Sequence, residues 1–67
     1  MRIKYRGYLL AADQSWDKPG YVIAAVFRVT DLVTVFEFYS SESPSKTIKE
    51  LKEKIRTGQI TNEPIPN

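Results

Sequence analysis

The chain contains no cysteine and no histidine. Without cysteine there is no disulfide and no thiolate ligand, and without histidine as well the side chains that build most structural zinc sites are gone. The same two absences remove the commonest general acid–base group and the most reactive nucleophile, so catalysis by the usual means of a short chain is not expected. Glycine occurs only at Gly7, Gly20 and Gly58, too scattered to form a loop that cradles phosphates. Long apolar runs are also missing: the longest, over residues 21–27, falls far short of the roughly 20 residues that cross a membrane. The basic start Met1-Arg2-Ile3-Lys4 is followed by an apolar stretch that Gly7 interrupts, which reads as a strand and not as an export signal. These absences lead to the expectation of a cytoplasmic, noncatalytic protein with no cofactor, no metal, no membrane partner and no small-molecule substrate.

What the 67 residues do contain is a globular balance of 42% hydrophobic and 27% charged residues, which argues against disorder. A chain this short buries only about 60% of the surface its unfolded form exposes, so its stability is marginal and any partner that adds burial helps. Three strands are expected. The first covers residues 2–12 and ends in the turn-forming run Asp13-Gln14-Ser15-Trp16-Asp17-Lys18-Pro19-Gly20. The second covers residues 21–29 and the third residues 33–40, and the short Thr30-Asp31-Leu32 connection forces them to be antiparallel. Ser43 then supplies a helix N-cap, Pro44 suits the first helical position, and Gly58 suits the left-handed residue past the C-terminus, so a helix is expected over residues 44–57. Ile48, Leu51 and Ile55 recur at spacings of three and four and form a stripe that docks on the sheet.

The fold class is therefore α+β, a three-stranded antiparallel meander packed against one C-terminal helix (β-β-β-α). One domain is expected over residues 1–58, with an irregular, proline-containing tail over residues 59–67. This order of elements is similar in architecture to the arm-binding domains of some integrases and to HicB-type antitoxin domains. The chain does not carry the short proline-glycine segment expected after the second strand in the antitoxins.

A two-residue turn at Asp31-Leu32 would pair Thr30 with Val33, Phe27 with Phe36, Ala25 with Phe38 and Ile23 with Ser40, gathering the bulky apolar groups on a core face, whereas a turn with Asp31 alone at its apex would slip the register by one and scramble this division. The first strand would add Ile3, Tyr5 and Leu9 to that face. The outer face would then carry Val22, Ala24, Val26, Arg28, Val35, Glu37 and Tyr39, together with Lys4, Arg6, Tyr8 and Leu10. Its cations and rings, Lys4, Arg6, Tyr8, Arg28 and Tyr39, make a candidate contact surface for phosphates and bases, against the simpler reading of a solvated sheet face. On the helix, Lys49, Lys52 and Arg56 fall on one flank and form a candidate basic ridge. The helix carries five cations against two carboxylates while the whole chain is only +2, so the remainder is slightly acidic. Trp16 reads first as a lid over one end of the core and alternatively as a loop anchor for a partner.

The serines near residue 40 are explained by strand ends and capping, and the carboxylates do not follow the ligand spacing of a calcium loop. The remaining function is surface recognition. Protein contact or self-association, with a homodimer as its simplest form, ranks ahead of nucleic-acid binding because the overall positive charge is slight.

Overall fold

The expected first strand is two strands. A computed structural model describes residues 1–61 and orders them as β1 (Arg2–Tyr5), β2 (Tyr8–Gln14), β3 (Val22–Arg28), β4 (Thr34–Ser40) and α1 (Pro44–Arg56). The strands form one antiparallel sheet in the order β1-β2-β3-β4. The class is α+β, as expected, with four strands in place of three. The division arises at Arg6 and Gly7, which have φ of 49° and 82° and join the cross-strand pair Tyr5 and Tyr8. Positive φ at both central residues is what the favoured two-residue hairpin turn demands, and Gly7 meets it without steric cost.

This turn reverses the phase of β2. Tyr5 and Tyr8 face each other and so share a side of the sheet, which moves the inward positions from odd numbers in β1 to even numbers in β2. Leu10 and Ala12 are fully buried while Leu9 and Ala11 lie on the opposite face, the reverse of the expected assignment for Leu9 and Leu10. The β3–β4 register also differs from expectation by one residue: Phe36 pairs with Val26, Phe38 with Ala24 and Ser40 with Val22. The connection is longer than two residues. Leu32 N–H donates to the Arg28 carbonyl at 2.7 Å, Arg28 N–H donates to the Val33 carbonyl at 2.9 Å, and Leu32 adopts φ 58°. Between Val26 and Phe27 the ladder shifts, which leaves Val35 as the extra residue of a bulge. Val22, Ala24, Val26 and Val35 therefore line the core, where the sequence reading had placed them outside, and Ile23, Ala25 and Phe27 face outward.

The helix follows its sequence signals closely. Ser43 Oγ accepts from Lys46 N–H at 3.4 Å and Pro44 opens the first turn. At the other end Gln59 N–H donates to the Lys54 carbonyl at 2.8 Å and Gly58 N–H to the Ile55 carbonyl at 3.1 Å, the paired bonds of a Schellman cap around Gly58 at φ 79°. Ile48 and Leu51 are buried, and Ile55 packs beside them against β2 and β3. Ile60 is buried in the same cluster, so the segment after the cap adds to the core although it is neither helix nor strand. The expectations for Pro64 and Pro66 lie outside the described residues. The fully buried Thr47 donates from Oγ1 to Ser40 Oγ at 2.9 Å, tying the first turn of α1 to the end of β4. Among the described residues no helix is long and apolar enough to cross a membrane.

Candidate interaction surface

Because α1 covers only one side of the sheet, the other side has no protein layer among the described residues. Three cross-strand rows compose it: Lys4, Leu9, Phe27 and Thr34; Arg2, Ala11, Ala25 and Glu37; and Asp13, Ile23 and Tyr39. The centre of this face is apolar and its margins are charged. Ile23, on an inner strand, is 40% exposed and Tyr39, beside it on the edge strand β4, 41%. A shallow hollow of about 220 Å³ lies against Ile23, Glu37 and Tyr39, with Phe38 between them in the chain. The β2–β3 loop builds up one end of the face. Lys18 Nζ lies 4.9 Å from the ring centre of Tyr21 and 4.8 Å from that of Tyr39, and Tyr39 Oη donates to Asp17 Oδ2 at 3.2 Å. The negative charge of Asp17, and its acceptance of that hydrogen bond, hold the Tyr39 phenol above the usual tyrosine range.

The five residues expected to form a cationic and aromatic outer surface do not share one face. Lys4 and Tyr39 are on the outer face, in different rows. Tyr8 and Arg28 pair with each other on the helix side, and Arg6 is in the β1–β2 turn. Arg6, Tyr8 and Arg28 do meet elsewhere, in an open hollow of about 450 Å³ where the β1–β2 and β3–β4 connections come together, with Gly7, Thr30 and Asp31 completing its walls. Charge in that hollow is partly compensated. Arg28 Nη2 donates to Asp31 Oδ2 at 2.6 Å and Arg28 Nε to Asp31 Oδ1 at 3.1 Å. The Arg28 hydrogen bonds, aided by Val33 N–H, hold the Asp31 carboxyl below the usual range.

The helix ridge is similarly divided. Lys49 is exposed, Lys52 Nζ sits 5.5 Å from the ring centre of Tyr5, and Arg56 forms an ion pair with Glu53. Arg6 Cζ lies 5.4 Å from the same Tyr5 ring, so Tyr5 collects two cations whose attraction to its face is worth about 0.5–1 kcal/mol each at exposed sites. Trp16 is 93% exposed, which overturns the lid reading: its loop is closed by Ser15 N–H donating to the Tyr21 carbonyl at 2.9 Å, and the indole covers no core.

Sequence reasoning missed Leu9, Ile23 and Phe27 as surface residues. The Arg6-Gly7 pair, read as a hairpin turn that reverses the phase of the following strand, is the signal for Leu9, while Ile23 and Phe27 follow from the longer β3–β4 connection held by Arg28 and Asp31. Comparison of the chain with protein-family models, with curated proteins and with solved structures finds no match.

Proposed function

We propose that this chain is a small noncatalytic interaction module of the cytoplasm that works by protein contact or self-association through the uncovered face of its sheet. The observation that carries this reading is the apolar centre made by Leu9, Ala11, Ile23, Ala25 and Phe27, framed by Arg2, Lys4, Asp13 and Glu37. An apolar centre within a polar rim is the usual composition of a recognition surface, and a sheet with one bare greasy side gains from being covered. Trp16 and Tyr39 at one end add the residue types most enriched among binding anchors. Nucleic-acid binding, the second reading, is favoured by the meeting of Arg6, Tyr8 and Arg28 in one hollow. It ranks lower because Arg28 and Arg56 each engage a carboxylate and the cations are spread over several surfaces.

The test compares the wild type with Ile23→Glu and Phe27→Glu in cross-linking from host extract, beside titration of single- and double-stranded nucleic acid at two salt concentrations. The proposal expects a cross-linked species that both substitutions abolish, and no nucleic-acid affinity that falls steeply with salt. Salt-sensitive affinity that survives both substitutions and is lost on Arg6→Glu would transfer the function to the hollow.

A further inference from the structure

Resting on that reading, we propose that the occupant of the uncovered face is a second copy of this chain, packed face to face about a two-fold axis parallel to the strands. The argument comes from how charge is ordered along the middle row. Arg2 on β1 pairs with Ala11 on β2, Ala11 with Ala25 on β3, and Ala25 with Glu37 on β4. The row thus has a cation at one sheet edge, a carboxylate at the other and two small side chains between.

Rotation about an axis along the strands lays β1 over β4 of the second copy and β2 over its β3. Arg2 then meets Glu37 of the other copy, Leu9 meets Phe27 and Ala11 meets Ala25, and every contact occurs twice because the interface is isologous. An axis across the strands through this row would instead set Arg2 on Arg2 and Glu37 on Glu37. Like charges directly opposed are costly, so the charge order selects the first arrangement. The alanine pair at the centre lets the two sheets approach to the roughly 10 Å of aligned sheet packing, with the larger Leu9 and Phe27 interlocking beside it. Asp13, the carboxylate that this face carries on an inner strand, is already compensated within its own chain: the Met1 ammonium donates to it at 2.6 Å and Arg2 Nη2 lies 3.3 Å away.

Area limits the strength of such a dimer. The domain measures 30 × 25 × 18 Å, so its broadest side offers no more than a standard interface of about 800 Å² per partner. The free edge of β4 is a competing route to self-association, but the Val35 bulge distorts the ladder of that strand, a known protection against edge pairing.

Sedimentation equilibrium on wild type, Arg2→Glu, Glu37→Arg and an equimolar mixture of the two variants tests the arrangement, with circular dichroism confirming that each variant folds. The wild type should dimerise, each variant alone should dimerise at least about tenfold more weakly, and the mixture should regain wild-type affinity as a heterodimer, since position 2 and position 37 then carry opposite charges in both contacts, Glu against Arg in one and Arg against Glu in the other. The wild-type dimer should also weaken as salt rises, through screening at its rim. Singly substituted proteins that dimerise as well as wild type would overturn the orientation. A wild type that stays monomeric up to about 1 mM would overturn self-docking. If Ile23→Glu then still abolished cross-linking to a different protein, the broader proposal would stand alone, and if it abolished nothing both would fall. A dimer insensitive to Ile23→Glu and Phe27→Glu would place the contact at an edge and reject the face.

Discussion

Substituting Ser40 and Thr47 singly and together should give costs that do not add. Ser40 Oγ accepts from the fully buried Thr47 hydroxyl at 2.9 Å and from Glu42 N–H at 3.0 Å. Ser40→Ala therefore strands two donors, one of them fully buried, and an orphaned buried donor costs about 1–3 kcal/mol. Thr47→Val keeps the shape of the side chain and leaves the Glu42 bond in place, so its cost should be near 1 kcal/mol. In the double variant no hydroxyl remains to be stranded, and the combined cost should fall short of the sum by about 1 kcal/mol. A domain of 67 residues has a total stability of roughly 3–10 kcal/mol, so these are large fractions of it. In melting temperature each kcal/mol corresponds to about 4–8 °C at this size. Urea unfolding followed by far-ultraviolet circular dichroism measures the four corners of the cycle. Strict additivity, or a neutral Ser40→Ala, would refute the claim that this pair fastens the helix to β4.

Trp16 at 93% exposure should emit at the red end of the indole range in the folded monomer and change little on unfolding; a marked red shift on adding urea would mean the indole is covered after all. Gly58→Ala should cost about 1 kcal/mol by imposing a side chain on φ 79°, seen as a lower urea midpoint with an unchanged slope. Asp31 is held below its usual range by Arg28. Its contribution to stability is thus present above the unfolded-state pKa and lost as pH falls through the folded-state value. Melting temperatures of Asp31→Asn and wild type should accordingly differ most near neutrality and converge in acid. Asp17→Asn should lower the titration point of the Tyr39 ring toward the usual tyrosine range, as followed by nuclear magnetic resonance, because the charge that opposes phenolate formation is gone.

The helix was legible because each of its signals is local: Ser43, Pro44 and Gly58 act within a turn of their own positions, and the Ile48, Leu51 and Ile55 stripe needs only helical periodicity. The sheet was less so, since a two-residue period records only that neighbours alternate and a shift of one residue exchanges the two faces. Two small connections decided the matter. Arg6 takes a positive φ that non-glycine residues seldom adopt, which hid the first hairpin, and the Arg28–Asp31 pair with Leu32 at φ 58° stabilises a longer second connection than two residues. The candidate surface suffered accordingly. Lys4 and Tyr39 remained on the outer face, whereas Tyr8 and Arg28 crossed to the other side and Ile23 and Phe27 replaced them. Trp16 was misread because nothing in its loop tells whether an indole turns toward a core or away from it.

Every strand of this sheet is hydrogen-bonded to its neighbours in sequence, β1 to β2, β2 to β3 and β3 to β4. Such an arrangement keeps loop-closure entropy small, since each hairpin forms from chain that is already nearby, and chains of low contact order fold quickly for their size. Only α1 must travel, returning from the far edge to lie over β2 and β3. Among the described residues the longest loop closure that folding requires is therefore the one that brings Leu51 back over β2 and β3.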